Sequence, residues 1–551
     1  MLPRYRFTLA IFALTAGFLS APFTAPANAI DENCRQVLSA PTNGVDAINK
    51  LGMDFTYVAT LNNRTTKELE NLLKESKEFF IDQCGHGYFA DTTNVARELP
   101  LPGALDILPT SLVTGIGMRP VINADQVFKL HSNPSSKKII YLNFKGKKIS
   151  GTAWNVNYNN NAEWVAKGFS QDADFGNFTK TELEIIQSVW QRVAEDFVAF
   201  EIDVTTEQPS ADALDRTNAA DKEYGTEMLI SADPVIFNAC KCSGLAYLSS
   251  FDMIGTEHAA NQPGWVFTLG VGDNPKYIAE AVTHEAGHTL GLSHDGTTSS
   301  AYFAGNNGWA PIMGVGFYQP VTQWSKGEYP SANNLEDEYK VMASHGVDLR
   351  PDEDKNSFDT ARSLKFGQKI GGIIDSPADQ DYFVFTVPNS GEFTVNALPA
   401  TFSPNLDIDL TIYEGTTNKI LYANPPLKVV NNDIADGLSA SVTGKFASNK
   451  KYYVVIAGTP ISTDAKTTKY GSIGTYQVSL DSKSVMQLSV LPNAGSQSGA
   501  GQSSQFTDIT LQLVSAVATD DPQKLILPNG VKVYLDSKVK RLILRTGDWL
   551  L

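Results

Sequence analysis

A mixed α/β domain followed by an all-β sandwich is the architecture this sequence predicts, on three observations. Between residues 131 and 350, strand-like and helix-like stretches alternate, the plan of a mixed sheet covered by helices. Between 356 and 482, short β-type runs recur with Gly, Asn, Pro and Asp between them, as in an antiparallel sandwich. The chain also has 551 residues, and single cores stop growing near ~250–300 residues. At least two folded units are therefore expected.

The chain opens with Arg4 and Arg6, an apolar run from Leu9 to Leu19, and Ala27-Asn28-Ala29. These are the three parts of a secretory signal peptide, and the run is too short for a bilayer anchor. Residues 1–29 are expected to be removed, leaving an exported protein, extracellular or periplasmic, without a membrane anchor. Residues 30–130 read as a separate leading region, a propeptide or N-terminal extension. In it "TTKELENLLKESKEFFIDQCG" carries leucines and phenylalanines at helical spacing, and the Pro- and Gly-punctuated "LPLPGALDILPTSLVTGIGMRP" has no clear period.

In the α/β domain, "KKIIYLNFKG" reads as a strand. "TKTELEIIQSVWQRVAEDFVAF" reads as an amphipathic helix, with Thr179 and Glu182 as a capping-box pair. Its apolar face is Leu183, Ile186, Val189, Trp190, Val193 and Phe197. "EIDVTT", "GLAYLSSF" and "GWVFTLG" are further strands, and Asn274-Pro275 opens a second helix as a cap followed by a first-turn proline. The sandwich strands are "DQDYFVFTV", "GEFTVNAL", "NLDIDLTIYEG", "KYYVVIAG" and "GTYQVSL". Residues 491–505 are a Gly/Ser/Gln linker. Residues 506–551 form a small β-rich tail with a hairpin signal at Asn529-Gly530.

Composition excludes one class of partner. With 60 acidic against 44 basic residues the net charge is -16, and a nucleic-acid binder needs a surplus of Lys and Arg. The acidity is that of a solvated secreted surface. Asp172 with Asp174, and Asp352 with Asp354, offer clustered oxygens to calcium; neither has the full loop pattern, and exposed acidic turns are expected. Cys34, Cys84, Cys240 and Cys242 form an even set suited to an oxidising destination. Four cysteines permit three pairings; Cys34 with Cys84 and Cys240 with Cys242 is the expected one. Nothing in the sequence sets the oligomeric state.

The segment "AVTHEAGHTLGLSHDG" holds three of the seven histidines. His284 and His288 are four apart, so on a helix both rings lie on one face and can share an ion. Gly291 tolerates the left-handed turn that would bring His294 back as a third ligand. Three imidazoles plus one open position describe a catalytic zinc site, because structural zinc is filled by four protein ligands. Glu285 stands where a general base would take a proton from water at the metal. By composition alone HExxH arises in about half a percent of such chains, and adding Gly291 and His294 lowers this to about a few in a million. His86, His131, His258 and His345 fall outside any ligand spacing.

HExxHxxGxxH, followed here by Asp295, resembles the metzincin zinc peptidases of reprolysin type. That resemblance implies a methionine turn beneath the zinc, for which Met313 in "APIMGVGFY" is the candidate. Around 130–350 the chain is also similar to exported bacterial zinc peptidases, in "LHSNPSSKKIIYLNF", "GTAWN", "RVAEDFVAFEIDVTTEQP", "GLAYLSSF" and "WAPIMGVGFYQPVTQWSKGEY". Residues 356–482 are similar to the pre-peptidase C-terminal domain, a jelly-roll module, with "DQDYFVF" the clearest fragment. The implied fold is a metzincin-like α/β catalytic domain followed by that sandwich.

The implied activity is secreted zinc endopeptidase, with protein or peptide substrates held antiparallel to an edge strand, here "GLAYLSSF". Several metzincins place a tyrosine two residues after the methionine, but position 315 is Val315; the nearest candidate, Tyr318, is expected to be a packed aromatic of the turn. Asp295 is expected to anchor the local backbone. Cys84 lacks the rest of the matrixin cysteine-switch motif, so a disulfide with Cys34 is expected instead. Two other readings stay open: an exported adhesin with a vestigial zinc site, and a zinc amidase acting on cell-wall peptides.

Overall fold

The computed structural model describes residues 34–92, 124–353, 356–416, 419–424, 437–461 and 466–482, with the backbone of short strands between 487 and 543. The expected signal peptide, the Pro/Gly passage at 99–120, the linker at 491–505 and Asn529-Gly530 lie outside the described residues.

In chain order the first part contains β1 (Thr42–Asn43), β2 (Phe79–Ile81), β3 (Gly87–Asp91), β4 (Lys138–Asn143), β5 (Gly146–Ile149), β6 (Trp164–Lys167), β7 (Asp203–Thr205), β8 (Tyr224–Ser231), β9 (Gly244–Tyr247), β10 (Gly264–Phe267), β11 (Trp309–Pro311) and β12 (Val321–Gln323). Eight of these make one mixed sheet in the order β1-β2-β3-β9-β10-β8-β4-β7. The run β10-β8-β4-β7 is parallel, while β1-β2-β3-β9-β10 is antiparallel. β3 and β8 are buried along their whole length, as expected of strands covered on both faces.

This corrects one expectation. The leading region is not a separate body: its strands β1–β3 extend the α/β sheet through the β3–β9 pairing. Its helix is also shorter than the apolar spacing predicts. Thr65 and Glu68 form a capping box and the helix runs Thr66–Glu75, but Phe79 and Phe80 belong to β2. Both predicted disulfides are present, Cys34–Cys84 and Cys240–Cys242.

Two helices pack on the sheet behind the site. The helix Lys180–Asp196 starts at the predicted capping box, with Glu182 N donating to Thr179 Oγ1 at 3.2 Å and Thr179 N to Glu182 Oε2 at 2.7 Å. Its six predicted apolar residues are all buried, although Phe197 is the capping residue beyond the last turn. The helix Pro275–Thr289 begins as expected, Asn274 Oδ1 accepting from Lys276 N at 2.9 Å.

The second part is a two-sheet β-sandwich of β13 (Arg362–Ser363), β14 (Lys369–Ile374), β15 (Gln380–Phe385), β16 (Gly391–Pro399), β17 (Ile408–Glu414), β18 (Ile420–Asn424), β19 (Ala440–Phe446), β20 (Tyr452–Gly458) and β21 (Gly474–Ser482). One sheet runs β13-β15-β20-β17-β18 and the other β14-β21-β16-β19, antiparallel except for β13–β15. β19 shows strict in–out alternation, the pattern of a sheet with one wet face. The sandwich is docked on the α/β part. Thr475 donates to Glu195 through N and Oγ1, both at 2.8 Å, Asn405 Nδ2 donates to Asp196 at 3.0 Å, and Tyr339 stacks on Tyr470 at 4.1 Å. In the tail, Lys524–Ile526 and Lys532–Asp536 pair antiparallel, as the hairpin signal predicts. Among the described residues no helix is long and apolar enough to cross a membrane.

Candidate metal centre

The helix Pro275–Thr289 carries His284 and His288 on its inner face, both buried. It ends as the sequence requires: Gly291 has φ +89°, a conformation glycine adopts without a Cβ penalty. Leu292 N closes back on Gly287 O at 3.0 Å, and the chain returns with His294. Beneath the helix, Met313 is fully buried; a Cβ at Gly287 would stand 2.5 Å from its Sδ. Asp295 N donates to Met313 O at 2.8 Å, a main-chain bond between the bend and the turn around Met313, while its carboxyl meets Ser325 and Tyr329. Its carboxyl is pushed up to about 7 by burial and by Glu336.

The backbone sets the ring tautomers. His284 Nδ1 donates to Ile312 O at 2.9 Å and His288 Nδ1 donates to Leu292 O at 2.8 Å. Each Nε2 therefore faces inward with its lone pair, and a carbonyl partner on the opposite nitrogen is how metal-ligating histidines are held. His288 Nε2 and His294 Nε2 are 3.0 Å apart. The three imidazoles thus converge on one point, as the spacing predicts.

A fourth donor is present that sequence reasoning missed. Asp91, at the end of β3, is buried and points its carboxylate at the same point. Its Oδ2 is 2.9 Å from His284 Nε2 and 3.5 Å from His288 Nε2, and its Oδ1 is 3.1 Å from His294 Nε2. One donor atom from each of Asp91, His284, His288 and His294 lies within 4.8 Å of the others. Around a tetrahedral ion with bonds of ~2.0–2.1 Å, neighbouring donors are about 3.3 Å apart, which the observed separations bracket. His284 Nε2 and Asp91 Oδ2 are buried without a well-formed hydrogen bond between them, the state of ligands facing a shared ion. The residues therefore fit zinc.

Electrostatics follow from burial and mutual contact. Burial raises the Asp91 carboxyl, but His294, His284 and His288 outweigh it and hold it well below its usual range. His284 is lowered by burial yet raised overall by Asp91, whereas burial takes His288 down to about 4. Glu285 is held well above the carboxylate range by burial, then by the charges of Asp91 and Glu78.

Glu285 itself is buried beside the centre, its carboxylate seated against β9: a Cβ at Gly244 would lie 1.9 Å from Glu285 Oε1. Only glycine leaves room there. A small cavity opens beside it, lined among others by Ala281, Tyr302, Ile312, Gly316 and Phe317.

Several expectations need correction. "GLAYLSSF" is not an edge strand, because β3 pairs along β9 on the side away from β10. Tyr318 is not a packed aromatic: it is half exposed, edge-on to Tyr277 at 5.9 Å. Tyr302 stands beside the imidazoles instead, 4.4 Å from the His294 ring and with a buried hydroxyl, and Phe89 lies against His288 and His294. No ligand spacing singles out Asp91 or Tyr302 in the sequence.

The remaining histidines lie elsewhere. His131 meets Asp203 and Glu207, His258 meets Asp215, and His345 meets Asp252; His86 is buried near Tyr247. Asp172 and Asp174 sit in an exposed turn. Asp352 does meet other carboxylates, Asp375 and Asp379, while Asp354 lies outside the described residues.

No protein-family model matches the chain, and no curated protein matches it. Solved structures give short likenesses. The pre-peptidase C-terminal domain of a collagenase from Bacillus anthracis is 15% identical, over 24% of this chain and 99% of that one, with a TM-score of 0.16. PliG from Aeromonas hydrophila, a periplasmic inhibitor of g-type lysozyme, is 10% identical over 22% and 95%, also with a TM-score of 0.16. CorA of Methylomicrobium album BG8, a surface-associated copper-binding protein, is 10% identical over 22% and 97%, with a TM-score of 0.15. At these identities and TM-scores none carries an argument about what this chain does.

Proposed function

We propose that this chain is an exported, zinc-dependent endopeptidase of metzincin type, carrying a pre-peptidase C-terminal sandwich behind its catalytic domain. The observation that carries the reading is the convergence of His284, His288 and His294 Nε2 on one point with the Glu285 carboxylate beside it. Zinc held there supplies a Lewis acid that polarises the scissile carbonyl and makes water acidic enough to lose a proton near neutrality.

The chain's own residues do the rest. Ile312 O and Leu292 O orient His284 and His288. Glu285, seated on Gly244, takes the proton from the attacking water and hands it to the leaving amine. Once the leading region, and β3 with it, is released, β9 offers its main chain to an extended peptide in the antiparallel sense. The cavity lined by Ala281, Ile312, Gly316 and Phe317 receives one side chain of that peptide.

The test is casein hydrolysis by the zinc-loaded chain after limited proteolysis has released the leading region, with and without a chelator, beside Glu285→Ala. Hydrolysis by the wild type, abolished by chelator and by the substitution, is the expected result. Equal inertness of both proteins with stoichiometric zinc overturns the reading and favours an adhesin.

A further inference from the structure

We infer that β3 is a built-in inhibitor: it occupies the substrate's place along β9 while Asp91 takes the zinc's open position. The inference rests on the metallopeptidase reading above and adds how that site is kept silent.

The coordination comes first. A catalytic zinc needs three protein ligands and one free position, whereas four protein ligands close the site. Asp91 supplies the fourth. Its carboxylate approaches all three imidazole nitrogens, at 2.9, 3.1 and 3.5 Å, so it takes the fourth corner and no water can enter there. The carboxylate is buried together with Glu285, and Glu285 then faces another carboxylate in place of its substrate water.

The strand is the second, independent feature. β3 pairs with β9 in the register Tyr88↔Tyr247, Phe89↔Ala246, Ala90↔Leu245 and Asp91↔Gly244. The pairing uses the main chain of β9 that an extended substrate needs. Phe89 lies flat on His288 at 4.0 Å and 12° between planes, and touches His294 at 4.3 Å, covering the imidazoles from the substrate side.

The strand is held from outside the site. Arg64 donates to Gly291 O at 2.8 Å and Ser293 Oγ at 3.1 Å, on the bend that carries His294, and pairs with Glu336 at 3.3 Å. Tyr247 Oη donates to Asp82 Oδ2 at 2.9 Å. The Cys34–Cys84 disulfide closes the leading region on itself and crosses to no other part of the chain. The leading region is thus attached to the α/β part by strand pairing, by polar contacts and by the packing of Tyr88 and Ala90 among Trp154, Tyr247 and Trp265, none of them covalent once the chain is cut.

The test uses the full-length zinc-loaded chain as wild type, Asp91→Asn and Asp91→Ala, read by casein hydrolysis, by chelator competition for zinc, and by visible absorption after cobalt replacement. The wild type is expected to be silent. Asp91→Ala should lose roughly tenfold or more in metal affinity and show a shifted cobalt spectrum; because β3 still pairs with β9, its hydrolysis should rise above the wild type's but stay below that of the proteolysed chain. Asp91→Asn, which keeps shape but not charge, should lie between them.

Wild-type hydrolysis equal to that of Asp91→Ala, with an unchanged cobalt spectrum, overturns the inference and leaves the peptidase reading standing. A shifted spectrum with no hydrolysis by any variant or by the proteolysed chain keeps Asp91 as a ligand but overturns the peptidase reading, and latency with it. Unfolding of both variants, seen by circular dichroism, makes Asp91 a structural ligand and also overturns latency.

Discussion

Gly244→Ala should disable the released enzyme without emptying its metal site. The added methyl would stand 1.9 Å from Glu285 Oε1, 2.4 Å from Cδ and 2.6 Å from Cγ, where ordinary contact begins at 3.4 Å. β9 is fixed by β10 on one side, so the glutamate side chain must yield, by about 1.5 Å at the carboxylate if the interior keeps its density. A displacement of about 1 Å at a reacting group costs on the order of a hundredfold in rate. Complete loss of a general base costs about 10²–10⁴. Gly244→Ala should therefore lower kcat/KM by roughly a hundredfold, approaching Glu285→Ala. The three contacts nearest the methyl are all with Glu285 and none with an imidazole, so zinc content should stay stoichiometric. Casein hydrolysis and metal analysis on the processed protein decide it. Retention of more than about a tenth of wild-type kcat/KM, with zinc bound, would show that the seat of Glu285 is not what sets the rate.

Three further perturbations test other parts of the account. Asp196 is pushed up to about 8 by burial and the Glu280 charge, and Glu195 to about 7 by burial. Between the ordinary carboxylate range and these values both hold protons in the folded state that the unfolded chain has released, so stability is lost as pH rises across that interval. Melting temperature should fall between about pH 4 and 8, level off above that, and fall less in Asp196→Asn; parallel curves would reject this cause. Tyr302→Phe removes the buried hydroxyl beside the His294 ring; kcat of the released enzyme should drop roughly ten- to a hundredfold with KM kept, and an unchanged kcat would exclude the hydroxyl from the reaction. Met313→Ala empties a fully buried site under the helix and should cost ~2–5 kcal/mol in denaturant unfolding; a loss below that range would mean the turn collapses to fill the space.

The histidine constellation was legible because its geometry is local. Four residues bring two rings onto one helix face, and one glycine at φ +89° returns the third. The capping box at Thr179 was equally local. Asp91 was not legible, since its contact with His294 spans 203 residues and a single aspartate closing "GYFAD" has no spacing to mark it. The same stretch is buried on every residue and so lacks the alternation that would tell an edge from an interior strand. Phe79 and Phe80 shifted from helix to strand because aromatic residues serve a pleated surface as well as a helix face, and tertiary pairing decides. Around Met313, Phe317 is the buried ring, edge-on to Tyr277 of the helix Pro275–Thr289 at 5.6 Å, and Tyr318 the exposed one, a choice made by tertiary packing.

A strand laid in a peptidase's own cleft raises the question of why it is not cut. Main-chain pairing along β9 is indifferent to sequence, so β3 is held as a peptide substrate would be. The difference lies at the residue over the metal. The Asp91 carbonyl is engaged elsewhere, accepting from Ser243 N at 2.6 Å and Ser243 Oγ at 3.0 Å. What reaches the imidazoles is the side-chain carboxylate, which carries no amine to expel and no carbonyl open to attack. A substrate paired in the same register would have to swing its carbonyl to the place the carboxylate holds. The inhibitory strand and the substrate can thus share one set of backbone contacts and still meet opposite fates.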